Sequence, residues 1–269
     1  MNNANFEFRE PKNEPILSYA PGTPERKLLQ EELERQYKKT VEIPLIIGGK
    51  EVKTGNLGKV VMPTEHGHVL ATYHKVGEKE VKMAIEAAMK AKKQWENTPW
   101  IERASVMMKA AELLAKKYRY LLNAATMLGQ GKNPFQAEID SACEAIDFLR
   151  FNAYFASKIY SQHPMSDNTT INRTEYRPLE GFVYAISPFN FTAIACNLNI
   201  SPVLMGNVTI WKPATTAILS NYYLMKVFKE AGLPDGVINF LPGSGSVISD
   251  TVFASKDFAG VHFTGSTST

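Results

Sequence analysis

From Gly181 onward the chain repeats one unit, a short apolar run rich in β-branched and aromatic residues followed by a helix-length stretch, and that rhythm leaves few folds open. The runs are Phe182 to Ile186, Val208 to Trp211, Val237 to Leu241 and Val261 to Thr264. Helices are expected around Ile194 to Leu204 and over Leu219 to Ala231, the second closed by Gly232 and Pro234. A short helix should follow Gly243-Ser244-Gly245. Crossovers this short between buried strands favour an α/β fold with a parallel, doubly wound sheet. Such sheets gather ligands at the C-terminal ends of their strands. Those ends carry Ser187-Pro188-Phe189-Asn190-Phe191, Trp211-Lys212-Pro213-Ala214 and Phe263-Thr264-Gly265-Ser266. An amide side chain, an ammonium group and a Gly-Ser turn on one sheet edge suggest a dinucleotide site beside a reacting carbonyl.

The first 161 residues have a different texture. Up to about Ser18 there is no period, only scattered prolines, as in an arm lying on another surface. A helix should start near Thr23, with Pro24 at its first position, and run to about Lys39. Pro44 to Val52 predicts a β-hairpin around Gly48-Gly49. Three helices follow. The first carries Val81, Ala84, Ala88, Ala91 and Trp95 on one face; the second covers Ile101 to Leu128 and stops at Gly129. The third covers Phe135 to Tyr160, with Ile139, Ala142, Ile146, Leu149 and Phe155 inward. Residues 162–180 turn polar and Thr-rich, with a turn at Ser166-Asp167-Asn168. They predict a protruding β-hairpin that pairs with another subunit. Residues 181–269 form the doubly wound part.

A net charge of +3 with no basic stripe gives no case for nucleic acid. Two cysteines, Cys143 and Cys196, cannot build a disulfide framework and fit a reducing compartment. Neither an apolar signal core nor an Arg-rich presequence opens the chain, and no apolar run reaches membrane-spanning length, so the expectation is a cytoplasmic protein. His66 and His68 lack the Cys or carboxylate partners of a metal sphere, so no metal site is expected.

Each candidate has a plain alternative. Asn190 is placed to donate to an oxyanion, or to cap the next helix. Lys212 can reach a ribose or phosphate, or simply be solvated. Gly243-Ser244-Gly245 is a weak signal without a third glycine, and Gly265-Ser266 fits either phosphate binding or an ordinary N-cap. Gly129-Gln130-Gly131-Lys132 is no P-loop, because Asn133 stands where Ser or Thr must hold magnesium. Cys143 and Cys196 fit small core residues better than nucleophiles.

Taken together, the runs Ile186 to Phe191, Trp211 to Pro213 and Phe263 to Ser266 resemble the aldehyde dehydrogenase superfamily, and the resemblance extends over the chain from about Pro15. Met127 to Lys132, Gln136 to Asp140 and Tyr176 to Gly181 resemble the branch that oxidises L-glutamate γ-semialdehyde to L-glutamate in proline breakdown. The resemblance implies a Rossmann-like sheet flanked by helices and a homo-oligomer when full length. It implies thioester chemistry in which Asn190 holds the oxyanion. Lys212 would bond the adenosine ribose, Ser266 would meet the pyrophosphate, and Gly243, Gly245 and Gly265 would allow close backbone approach. Ile186, Ser187, Pro188 and Phe189 would wall the cofactor. Phe191 would pack on the substrate chain and Glu144 would approach its charged end. Thr215 stands where NAD-dependent members often carry Glu; it can bond a ribose hydroxyl without repelling a 2′-phosphate, so NAD is expected and NADP tolerated. The nucleophilic cysteine and general-base glutamate of the superfamily belong to segments after the Phe-Thr-Gly-Ser turn, so the expectation is an N-terminal half without turnover of its own. Two alternatives stay open: a dehydrogenase of another semialdehyde, or a non-catalytic nucleotide-binding or assembly module.

Overall fold

The computed structural model describes residues 6–269; residues 1–5 of the expected arm lie outside the described residues. The arm rests on its own chain. Asn13 Nδ2 and the Glu14 amide donate to Asp147 at 2.7 and 2.8 Å, and the Leu17 amide donates to Glu138 at 2.8 Å. Next come α1 (Pro24–Tyr37), β1 (Val41–Ile43), β2 (Leu45–Ile47), β3 (Lys50–Val52), β4 (Leu57–Met62) and β5 (Glu65–His74). Gly48 and Gly49 have φ of 57° and 76°, the left-handed pair that a two-residue hairpin between β2 and β3 requires.

The helical layer comprises α2 (Glu78–Trp95), α3 (Trp100–Leu113), α4 (Arg119–Gln130), α5 (Pro134–Ala137) and α6 (Glu144–Tyr160). Two expected helices are interrupted by wide π turns, Leu114–Tyr118 between α3 and α4 and Glu138–Cys143 between α5 and α6. Arg119, just after the first, pairs with Glu138, the first residue of the second; Arg119 also takes Glu14 at 2.6 Å. The two wide turns thus meet on one buried charge pair. Gly129 lies inside α4, and Gly131, with φ of 67°, is the residue that ends it. Phe155 faces solvent instead of the core.

The remaining elements are β6 (Phe182–Ile186), α7 (Thr192–Leu204), β7 (Thr209–Lys212), α8 (Ile218–Ala231), β8 (Ile238–Phe240), α9 (Gly245–Phe253) and β9 (Phe258–Phe263). Among the described residues the main sheet has the order β3-β2-β8-β7-β6-β9. Strands β8, β7, β6 and β9 run parallel, as the sequence rhythm predicts. Two crossovers carry the chain outward from β6 to β8, and α9 then returns it to the other flank of β6. The direction of winding therefore reverses between β6 and β9, which is the switch point of such a sheet. The β2–β3 hairpin extends the far edge, β2 pairing antiparallel with β8 through Ile46 opposite Phe240 and β3 antiparallel with β2, so the sheet is mixed rather than wholly parallel. A smaller sheet, β1-β5-β4, packs beside it. The core lies between the main sheet and its helices, around Phe182, Tyr184, Trp211, Phe228 and Phe240.

The expected hairpin within 162–180 is corrected at the level of strands: no ladder forms there. The segment does fold back, with the Asp167 amide donating to the Thr170 carbonyl at 3.0 Å, but several further amides are taken by side chains. Asp167 Oδ1 accepts from the amides of Thr169 and Thr170, Ser166 Oγ from that of Asn172, and His163 Nδ1 from that of Thr174. Donors already spent on side chains cannot build a β-ladder.

Candidate functional site

Register decides which side chains share the rim. Ile186 is opposite Lys212 on one flank and Phe263 on the other, so β6, β7 and β9 end abreast at the switch point. The pairing carries on past the strands: the Ser187 amide donates to the Lys212 carbonyl at 3.2 Å, and the Leu241 amide to the Trp211 carbonyl at 2.9 Å. Asn190, Lys212, Gly243 and Ser266 therefore all leave from one edge of one sheet.

At the end of β6 the run divides into a seated and a projecting part. Ser187 and Pro188 are buried, and the Ser187 hydroxyl accepts from the Trp211 indole at 3.0 Å, a bond that ties the end of β6 to β7. Phe189, 68% exposed, and Asn190 then project outward. The Asn190 amide has no hydrogen-bond partner among the described residues. It does not cap α7, whose N-cap residue is Phe191. Its backbone carbonyl accepts from the Lys132 ammonium, which also binds Asp140 at 2.6 Å and lies 4.1 Å from the centre of the Phe191 ring.

Lys212, at the end of β7, is half-buried with no acid partner among the described residues, and loss of hydration pushes its pKa below the ordinary lysine value. Thr215 is exposed and opens a single 3-10 turn, Thr215–Ala217. The glycines separate by cause. Gly243 has φ of 154°, and a Cβ there would sit 2.7 Å from Val76 Cγ1, so the fold itself requires glycine. A Cβ on Gly265 would lie 2.5 Å from the Phe263 ring. At Gly245, the first residue of α9, a Cβ would meet nothing within 4 Å, which leaves open space in front of the helix N-terminus. Gly265-Ser266 opens a turn and not a helix among the described residues: Ser266 Oγ contacts Thr269 Oγ1 at 2.7 Å and accepts from the Thr269 amide at 3.3 Å. That is the hydrogen-bonding habit of a capping serine.

Glu144, the first residue of α6, is half-buried, and its pKa is raised first by burial and then by the nearby negative charge of Asp140. Lys132 and Asp140 are not among the sequence candidates. They sit on different elements, and the one signal available in the sequence is the Gly131-Lys132 step, which fails as a P-loop. Neither cysteine is a nucleophile here. Burial pushes the Cys143 thiol up to about 12, and Cys196 is raised by complete burial. No trio of metal-ligating side chains occurs among the described residues, and no helix there is long and apolar enough to cross a membrane.

Comparison with known proteins places this geometry. The model of the aldehyde dehydrogenase family matches residues 51–269. The chain is 51% identical over 258 residues to the mitochondrial delta-1-pyrroline-5-carboxylate dehydrogenase of Dictyostelium discoideum, covering 96% of this chain and 46% of that protein. It is 46% identical over 257 residues to the mitochondrial delta-1-pyrroline-5-carboxylate dehydrogenase of Homo sapiens, with 96% and 46% covered. The solved structure of the NAD-bound delta-pyrroline-5-carboxylate dehydrogenase from Mycobacterium tuberculosis superposes with a TM-score of 0.97 at 47% identity, over 99% of this chain and 50% of that one. The chain spans about half the length of the curated relatives it matches.

Proposed function

The chain belongs to the aldehyde dehydrogenase family, and from that premise we propose that it forms the cofactor-holding part of an enzyme that oxidises L-glutamate γ-semialdehyde, in equilibrium with 1-pyrroline-5-carboxylate, to L-glutamate with NAD. The named activity of its relatives supports the substrate, and the NAD-bound relative supports the cofactor. The observation that carries the reading is Lys212, a half-buried ammonium without an acid partner among the described residues, on the rim where the winding reverses. A charge left unpaired there is stabilised once it donates to a ligand oxygen.

The residues fit a dinucleotide. Lys212 donates to a ribose hydroxyl. The first amides of α9, behind the open space at Gly245, and the Ser266 hydroxyl meet the pyrophosphate. Ile186, Pro188 and Phe189 wall the site; Ser187 contributes through the Trp211 bond that fixes the rim. Thr215 offers a neutral hydroxyl that can bond a ribose oxygen without repelling a 2′-phosphate, so NADP is tolerated, while the NAD-bound relative supports NAD. NAD, when bound, supplies the acceptor for the hydride that leaves the aldehyde carbon. The Asn190 amide donates to the carbonyl oxygen as negative charge develops on it, and removing one such donor costs roughly 10²–10³ in rate. Phe191 packs on the aliphatic part of the substrate, with Glu144 toward its ammonium. We place the full-length protein in the cytoplasm, or the mitochondrial matrix of a eukaryote, as a homo-oligomer.

The test is NAD binding by titration calorimetry to the full-length protein and to Lys212→Met. One charge-assisted hydrogen bond contributes about 1.5–3 kcal/mol, so affinity should fall by about 10- to 150-fold. Unchanged affinity would overturn the cofactor assignment. NADH formation that is no faster with L-glutamate γ-semialdehyde than with other short semialdehydes would overturn the substrate.

A further inference from the structure

Lys132 stands at a convergence that the oxyanion reading does not itself contain. It follows Gly131, whose left-handed backbone ends α4, so the chain direction at Lys132 is set by a helix stop. The next residue, Asn133, closes a capping box with Gln136 at the start of α5, which fixes the other side of the lysine. Between these anchors the side chain is mostly buried, at 16% exposure, against an Asp140 carboxylate that is 2% exposed. Of its three N–H donors, one goes to Asp140 and one to the backbone carbonyl of Asn190, while the charge lies over the Phe191 ring. The other oxygen of Asp140 accepts from the Ala193 amide at 3.4 Å, in the first turn of α7. One buried ion pair therefore holds Asn190, the residue before the N-cap of α7, by its carbonyl and the helix start by an amide.

Asn190 has little else to hold it. Its side chain is exposed and makes no hydrogen bond among the described residues, and Phe189 before it projects into solvent. A free amide on a loop samples many orientations, whereas an oxyanion donor must be preset. We propose that Lys132, anchored by Asp140, is the positioning residue for Asn190. It pins the 190–191 peptide so that the Asn190 amide is held toward the reacting carbonyl. This rests on the assignment of Asn190 as oxyanion donor made above. Lys132 acts through Asn190, and its 4.1 Å contact with the Phe191 ring is a separate route that the KM for aldehyde reads.

A misplacement of about 1 Å can cost on the order of 10²-fold in rate, and Lys132→Met removes the pin while keeping the length of the side chain. In the full-length protein K132M should lower kcat by about 10- to 100-fold. The KM for aldehyde and the Kd for NAD should move by less than about threefold. Lys132→Arg, which can still donate to both oxygens, should recover most of the loss. The deciding measurement is the double variant: in kcat, K132M combined with Asn190→Ala should be no slower than N190A alone, because the effect of the lysine on the chemical step runs through that amide. If N190A is impaired but the two losses multiply, or if K132M turns over like wild type, the clamp is wrong and the oxyanion reading survives. If N190A itself keeps wild-type kcat, the oxyanion reading fails and takes the clamp with it. Should K132M not fold, Asp140→Asn, which frees the ammonium from its anchor, is held to the same split between kcat and KM and to the same cycle.

Discussion

Replacing Glu138 by Gln should lower stability by about 3 kcal/mol, and the structure says why that figure and not a smaller one. Glu138 is wholly buried, and its carboxylate accepts from the Leu17 amide at 2.8 Å, Tyr19 Oη at 2.6 Å, Asn123 Nδ2 at 2.8 Å and Arg119 Nε at 3.1 Å. Glutamine keeps one acceptor oxygen and turns an NH₂ toward this ring of donors. It also leaves the buried Arg119 guanidinium short of an anion, and breaking a buried pair on one side costs about 3–5 kcal/mol. Arg119 retains Glu14 at 2.6 Å and the Pro15 carbonyl at 2.7 Å, which puts the loss at the low end. At about 2–4 °C per kcal/mol for a chain of this size, the Tm should drop by about 6–12 °C at pH 7, followed by circular dichroism. The pH dependence supplies the internal control. Burial works to raise the Glu138 pKa, but the hydrogen bonds from Arg119, Tyr19 and Leu17 outweigh it and leave the group below the ordinary carboxylate value. A lowered acid contributes stability above its unfolded pKa of about 4.3, and that contribution fades as pH falls through the lower folded value. The gap between wild type and E138Q should therefore narrow below about pH 4. A gap under about 1 kcal/mol at pH 7, or one that widens in acid, would refute the reasoning.

Two further expectations are cheaper to check. Gly243→Ala should destabilise by about 1–3 kcal/mol, through its positive φ and the contact with Val76, whereas Gly245→Ala, facing open space, should melt like wild type. A weakened NAD affinity in G245A at unchanged Tm would then mark ligand approach, while equal melting losses for both glycines would contradict the division. Cys143 and Cys196 should resist iodoacetamide in the folded protein, as judged by peptide mass spectrometry, because both thiols are buried and raised; rapid labelling of either at pH 8 would show that the burial is wrong.

The parallel part of the sheet is legible in the sequence because each strand is an apolar run closed by a glycine or proline, buried in β6, β7 and β8 and half-exposed in the edge strand β9, and the rim follows because strand ends in such a sheet point one way. Asn190 and Lys212 emerge from that rule alone. What stays hidden shares one cause: it depends on pairings that no local pattern encodes. A π turn adds a residue without breaking the apolar period, so Glu138–Cys143 reads as plain helix. The polar 162–180 segment reads as strands because threonine favours them, but Asp167, Ser166 and His163 take the amides first. Lys132 and Asp140 lie eight residues apart on no common face and meet only because α4 ends where α5 begins. Gly243 has the look of a phosphate glycine, yet Val76, from a loop far back in the chain, is what excludes a side chain there.

The antiparallel seam between the glycine-tipped hairpin and the parallel strands has a bearing on how the molecule is made. Gly48 donates to Asn239 Oδ1 across 191 residues, and the entropic penalty for drawing such distant points together is on the order of 4–5 kcal/mol. A two-strand hairpin is marginal in water by itself, so it cannot nucleate the sheet. During translation β2 and β3 emerge ahead of the four parallel strands and are held in waiting until β8 follows to receive them, with β9 still to come on the opposite edge.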